Sequence, residues 1–299
     1  MTLEVARKWR RLEVGMCKTI WATVVALPLL WMLVAPGLAQ TVELKPDTLS
    51  AFDRYVSLAE QRMENELHAG GPFLLPDGWS PQRRDQAYQR LRYGEVIIER
   101  LGEGTAARIQ HGLVHHWAGI VFIPGASLAS ALALIQDYDR HQDVYSPKVL
   151  QSRLVRRQGD DFHIFLRLKK HKITTVVLDT EYDVHFARLD AHRARSRSHS
   201  TRIAEVQNPG GRDERDLPPG NDHGFLWALD TNWRFREVAN GVFVQCEAIS
   251  LTRNIPAGLG WLIGPLVESV PRESLAFTLA ATRKAVVARQ QAIASRNLR

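Results

Sequence analysis

Between Val149 and Leu251 apolar and polar side chains alternate in one run after another, the period of strands with one covered face and one wet face. Val149 to Arg157 ends at the turn Gly159-Asp160. Phe162 to Lys170 then sets Phe162, Ile164, Leu166 and Leu168 against His163, Arg167 and Lys169. From Ile173 to Leu189 the even positions Thr174, Val176, Leu178, Thr180, Tyr182, Val184 and Phe186 make an apolar stripe, with Asp179, Glu181, Asp183 and His185 on the odd side. His192 to Val206 repeats the alternation with other chemistry: Arg193, Arg195, Arg197 and His199 share one side, and Ala194, Ser196, Ser198 and Ser200 share the other. Small side chains on a covered face leave space rather than fill it. A loop dense in Pro, Gly and charge spans Asn208 to Asn221. Beyond it, Phe225, Trp227, Leu229, Thr231, Trp233 and Phe235 form an aromatic stripe opposite Asp230, Asn232, Arg234 and Arg236. Asn240-Gly241 signals a hairpin into Val242 to Leu251.

The helical period marks both ends of the chain. Asp47 or Thr48 caps a helix whose Leu49, Phe52, Val56, Ala59, Met63 and Leu67 recur every three or four residues, and Gly70-Gly71-Pro72 stops it. A second helix covers Gln82 to Arg92, while Gly94 to Leu101 fits a strand as well as a helix. Residues 40 to 111 therefore read as a partly helical extension, too short to bury a core of their own. Leu113 to Ile123 is the first strand of the main domain, turned by Pro124-Gly125. Ser127 caps a short helix carrying Leu128, Ala131, Leu132 and Ile135. The final element begins after Pro265 and is clearly helical from Pro271, with Ser269 as its cap and Leu275, Leu279, Thr282 and Val286 on one face; residues 293 to 299 are a tail. Successive antiparallel strands without crossover helices make the class α+β.

Composition changes this picture mainly at the N-terminus. The 299 residues are 45% apolar and 24% charged, ordinary for a globular chain with a sizeable core. Arg7, Lys8, Arg10, Arg11 and Lys18 precede an almost uncharged run from Thr19 to Val34, and Gly37 and Ala39 supply small residues at a cleavage site. Residues 1 to 39 read as a secretory signal peptide cut before Gln40, and the protein as periplasmic or extracellular. The alternative is a retained membrane anchor, although the apolar run is short for a span of ~20 residues and holds Pro28. Met16 can serve as the start of a shorter signal, and Cys17 precedes the apolar run, the wrong order for lipidation. Cleavage removes five basic and two acidic residues, lowering the formal charge from +7 to +4, and leaves Cys246 without a partner for an internal disulfide.

Four local patterns fit one further likeness: the strand end Phe122-Ile123-Pro124, the Tyr138 region after the short helix, Tyr145-Ser146-Pro147 before the next strand, and Pro271-Arg272-Glu273-Ser274-Leu275 on the closing helix. With the order strand, short helix, six long strands, closing helix, they resemble the helix-grip fold of the START and SRPBCC superfamily. That group is Bet v 1-like and includes lipid-transfer domains, polyketide cyclases and coenzyme Q-binding proteins. The likeness covers roughly residues 112 to 292, and the extension before it has no counterpart in the minimal fold. It implies a curved antiparallel sheet wrapped around the last helix, with a cavity between them for an apolar or amphipathic ligand.

Tyr182, Phe186, Ser196, Ser198, Trp227, Trp233 and Leu279 are the expected lining, small and aromatic side chains with a few polar groups. The expected partner is a hydrophobic small molecule such as a lipid, isoprenoid or polycyclic compound. No catalytic residue, cofactor or metal is assigned. His115 and His116 are neighbours on a strand and point to opposite faces, so they cannot share an ion. No nucleophile elbow, phosphate loop or Rossmann glycine pattern occurs. Asp179, Glu181 and Asp183 read as a solvated row. Arg193, Arg195, Arg197 and His199, with Lys169, Lys170 and Lys172, read either as a soluble strand face or as a basic patch for an anionic membrane surface. Nucleic acid is not expected, since no stacking aromatics interleave these cations. Two alternatives stand beside ligand carriage. One is a cyclase- or hydratase-like enzyme using Tyr182 or His223, the latter beside Asp222, for proton transfer; the other is a non-catalytic envelope protein that binds partners through its basic face and extension.

Overall fold

A computed structural model describes residues 40–68, 70–102, 107–171, 175–255 and 260–297. Residues 1–39, where a signal peptide is expected, and Lys172, Ile173 and Thr174 lie outside the described residues. The chain begins with a short strand, β1 (Val42–Glu43), and helix α1 (Pro46–Asn65). The residue preceding α1 is Lys45, which makes no side-chain cap, so neither Asp47 nor Thr48 caps the helix as expected. Pro46 supplies a φ already set for the first turn, Asp47 favours the positive end of the helix dipole, and Thr48 Oγ1 instead donates to Gln110 O at 2.8 Å. A 3-10 turn (Leu75–Gly78) and helix α2 (Pro81–Arg92) follow. The ambiguous segment resolves as strand β2 (Ile97–Arg100), followed by β3 (Ala107–Ile109) and β4 (Gly112–Pro124).

Helix α3 (Leu128–Ile135) starts where Ser127 and Ser130 exchange backbone-to-hydroxyl bonds at 3.1 and 3.2 Å, and α4 (His141–Val144) is a single turn. The meander comprises β5 (Val149–Gln158), β6 (Asp161–His171), β7 (Thr175–Arg188) and β8 (Arg193–Gln207), the minor strands β9 (Arg215–Asp216) and β10 (Asn221–Asp222), then β11 (Ala228–Val238) and β12 (Gly241–Arg253). Helix α5 (Gly260–Asn297) closes the chain. It starts well before Pro271 and contains both Pro265 and Pro271. Each proline removes one N–H donor and crowds the carbonyl four residues back, so the expectation placed the helix start at them, yet the helix runs through both. Among the described residues no helix is long and apolar enough to cross a membrane.

The main sheet runs β2-β4-β12-β11-β8-β7-β6-β5, antiparallel throughout, with β3 on β4 and β9 on β8. Its two faces carry separate cores. On the concave face, Val121, Phe162, Val184, Phe186, Phe235 and Val244 pack with Leu275, Leu279 and Val286 of α5. On the convex face, α1 sets Phe52, Val56, Ala59 and Met63 on Val114, Ala228, Ile249 and Leu251, and the segment around α2 sets Phe73, Leu74 and Leu91 on Ile120, Phe122 and Phe243. The extension is thus the third layer of a helix–sheet–helix sandwich.

That layer changes the reading of the charged rows. Arg195 and Arg197 pair with Glu64 and Glu60 on α1, Arg193 with Asp190, and His199 with Asp230 at 2.8 Å. The basic row is therefore matched by carboxylates rather than presented as a bare patch, because α1 brings an acidic flank over it. Lys169 stays exposed, but Lys170 points to the other side of the sheet, towards α5. Asp179 is not solvated either. Arg167 grips it with two bonds of 2.7 Å while also holding Glu214, and Asp179 is 6% exposed. Glu181 and Asp183 keep more exposed positions.

Candidate ligand-binding site

Register across the middle strands stacks the concave side chains into transverse rows. One row runs Phe186, Ser196, Trp233, Cys246, Gly119 from β7 through β8, β11 and β12 to β4. The next runs Val184, Ser198, Thr231, Ala248, Trp117. In the third, Tyr182 faces Ser200, whose Oγ accepts from Leu229 N at 2.9 Å. Small side chains therefore line up across several strands, down the centre of the wall. Ser198, Ser200, Thr231, Trp233 and Ala248 keep partial solvent access although they face the covered side, whereas Ser196, Phe235, Val244 and Leu279 around them are sealed. This partly accessible centre, with buried residues around it, is the candidate hollow.

Gly119 explains how α5 sits so close on one flank. A Cβ there would lie 2.6 Å from Leu279 Cδ1 and 2.5 Å from Ile98 Cδ1, so the missing side chain lets the helix settle onto β4. Aromatic contacts stiffen the other flank: Phe162 meets Phe186 edge-on at 5.3 Å between ring centroids, and Trp233 stacks over Phe235 at 6.3 Å.

The polar groups of this face are few. Tyr145 O–H donates to Thr282 Oγ1 at 2.9 Å, since the threonine's own proton goes to Thr278 O. The Tyr182 hydroxyl is buried and finds no hydrogen-bond partner. Thr180 lies near enough to influence it, but directs its proton to Leu166 O at 2.7 Å. Burial pushes the Tyr182 phenol up to about 12, so it can donate a proton bond at neutral pH and cannot act as a base. A buried hydroxyl without a partner calls for an explanation. Across the strands it faces Ser200 of β8.

Of the expected lining, Tyr182, Phe186, Ser196, Ser198, Trp233 and Leu279 share this face. Trp227 does not. It precedes β11, its indole N–H donates to Asp222 Oδ1 at 3.0 Å, and its ring joins Phe52 in the convex core. The strand phase was extended one residue pair too far, past the point where the chain leaves the sheet. His223 bonds through Nδ1 to Glu205 at 2.8 Å, and Glu205 faces Leu178, four residues along β7 from Tyr182 and so roughly 13 Å away. The two proton-transfer candidates are not brought together. His115 and His116 diverge, the first to Thr252, the second to Tyr55 and Glu247. Among the described residues no cluster of His, Cys, Asp and Glu is arranged for a metal. Thr231, Ala248 and Cys246 share this face but are not among the expected lining; the turn residues are Ala239 and Asn240, so Val238 faces Gly241 and Trp233 faces Cys246, two residues from the register that an Asn240-Gly241 turn would set.

Helix α5 lies along β4, with β2 and β12 beside it, while the sheet continues round through β11, β8, β7 and β6 to β5. The chain has the helix-grip fold. No protein-family model matches the sequence, and no curated protein does. Among solved structures, this helix-grip chain is similar to a STAR-related lipid transfer protein from Xanthomonas axonopodis, at 18% identity and a TM-score of 0.40, over 61% of this chain and 97% of that one. It is also similar to human STARD10, at 8% identity and 0.41, over 73% of this chain and 85% of the other. The Zhui aromatase/cyclase from a Streptomyces strain aligns at 12% identity and 0.38, over 59% and 95%.

Proposed function

We propose that the protein binds an apolar or amphipathic small molecule, such as a lipid, isoprenoid or polycyclic compound, in the hollow between the sheet and α5. We further propose that it does so outside the cytoplasm, after cleavage behind Ala39. The observation that carries the binding reading is the set of rows in which Ser198, Thr231 and Ala248, with Ser200 and Trp233, stay partly accessible beside the buried Ser196, Phe235 and Val244. Removing apolar ligand area from water there drives binding at ~25 cal/mol per Å², less the cost of ordering the ligand. The Tyr182 hydroxyl supplies one orienting hydrogen bond.

Ser198→Trp tests this reading, because an indole at that position fills the hollow without disturbing the strand ladder. Binding of the neutral fluorophore N-phenyl-1-naphthylamine should weaken by roughly tenfold or more, equivalent to about 1.4 kcal/mol, with little change in melting temperature. Wild-type protein that takes up no fluorophore and carries no lipid-sized adduct in native mass spectrometry would remove the basis of the reading.

A further inference from the structure

Many of the buried and half-buried cations in the sandwich face a carboxylate, as Arg167 meets Asp179 and Glu214, Arg195 meets Glu64, Arg234 meets Glu66, and Arg236 meets Asp77, while Arg283 and Arg253 donate to backbone carbonyls. Lys148 and Lys170 break the pattern. Lys148 precedes β5, and its backbone carbonyl accepts from Lys169 N at 2.8 Å, which ties it beside the end of β6. Lys170 follows Leu166 and Leu168 on the concave side of β6, and its Nζ donates to Ser274 Oγ at 2.6 Å. Ser274 must be the acceptor, because its own proton goes to Val270 O at 2.7 Å. Lys148 Nζ lies 5.9 Å from the centroid of Phe277, three residues further along α5. Two ammonium groups thus converge on one turn of the closing helix, and among the described residues neither has a carboxylate partner.

This is an unfavourable arrangement for the protein alone. Burial, with the charge of Lys148 added to it, pulls the Lys170 ammonium down to about 8. The two cations repel and are partly withdrawn from water, at a cost that an anion between them would offset.

Their position relative to the hollow gives the anion a shape. Ile164 is level with Tyr182, and Lys170 lies six residues further along β6, roughly 20 Å away. The concave positions between them are Leu166 and Leu168, both only half-buried, with Val176, Leu178 and Ile203 beside them. An apolar track therefore leads from the hollow to the lysine pair. We infer that Lys148 and Lys170 form an oxyanion site for the carboxylate or phosphate head of an amphiphile whose apolar chain lies along Leu168 and Leu166 into the hollow. The inference rests on the ligand-binding reading and narrows it to single-headed acidic amphiphiles.

The test uses the full chain with two probes of the same chain length, cis-parinaric acid and its methyl ester. Wild-type protein should bind the acid roughly tenfold more tightly than the ester. Lys170→Met and Lys148→Met should each remove most of that preference while leaving ester binding unchanged. Lys170→Arg should keep it, which separates lost charge from lost packing. Equal binding of acid and ester by the wild type, or a preference that survives both methionine variants, would overturn the oxyanion site and leave the hollow standing. Failure of both probes to bind would overturn the hollow as well. Inorganic phosphate identifies the source of the oxyanion: displacement of the acid but not the ester shows that a free anion suffices, and no displacement shows that the head is held only as part of an amphiphile.

Discussion

Single residues in this fold are set by what covers them, and His141 shows the consequence for pH. Its Nε2–H donates to Ile135 O at 3.0 Å, and its ring packs against Tyr138 and Tyr145 with centroids 4.7 and 5.1 Å away. Burial pushes the imidazole down to about 4, so the folded protein holds it neutral where the unfolded chain, near 6.5, has begun to protonate it. The unfolded state then binds more protons between those two values. The stability His141 contributes is complete above about 6.5 and falls away as the pH drops towards 4, a loss on the order of 2 kcal/mol by pH 5. Urea unfolding at pH 7 and pH 5 should show this loss in the wild type and a smaller one in His141→Gln, which keeps an N–H donor but cannot titrate. His199 runs the other way, since its bond to Asp230 raises it, but it is present in both proteins and cancels in the comparison. An equal pH response in the two proteins would show that His141 is already charged in the fold.

At the scale of elements, the strands were legible because each has one covered face. The alternation of Phe162 to Leu168, and of Val176 to Phe186, carries its phase in the residues themselves, and Asn240-Gly241 locates the hairpin, although the turn is Ala239-Asn240 and the register is shifted accordingly. What was not legible depended on neighbours distant in sequence. Trp227 matches the aromatic stripe in spacing, and only its bond to Asp222 and the cover of Phe52 put it in the other core. Asp179 alternates like a wet residue, and becomes buried because Arg167 and Glu214 close over it. The small side chains of β8 were readable as space. That β11 and β12 extend the space with Thr231, Ala248 and Cys246 follows from strand order, which alternation does not encode.

For the whole molecule, the consequential feature is that the sheet is covered twice. Phe52, Leu74, Leu91, Ile120 and Phe243 are almost wholly excluded from solvent in the convex layer. At ~1.5–3 kcal/mol each their burial contributes on the order of 10 kcal/mol, comparable with the entire net stability of a typical domain. The same layer holds Arg234, through Glu66 and the carbonyls of Met63 and Phe73, and Glu247, through Arg62. A chain that starts at His111 loses those partners and exposes Phe122 and Phe243. It should lack a cooperative thermal transition by circular dichroism, while residues 40 to 299 melt cooperatively. A folded, monomeric His111 chain would show that the extension is dispensable.

The thiol of Cys246 lies between Trp233 and Gly119 on the wall beneath α5, fully enclosed and pushed far above the ordinary thiol range by burial. It is the sole thiol beyond residue 39, so the chain carries its own clock for the departure of its closing helix. Labelling by a bulky disulfide reagent should be slow in the folded protein, and its rate should report how often the grip opens rather than how fast the sulfur reacts. An occupant of the hollow should slow that clock without touching the sulfur, turning the reaction of one cysteine into a measure of residence time for a ligand that need not be coloured, fluorescent or even identified.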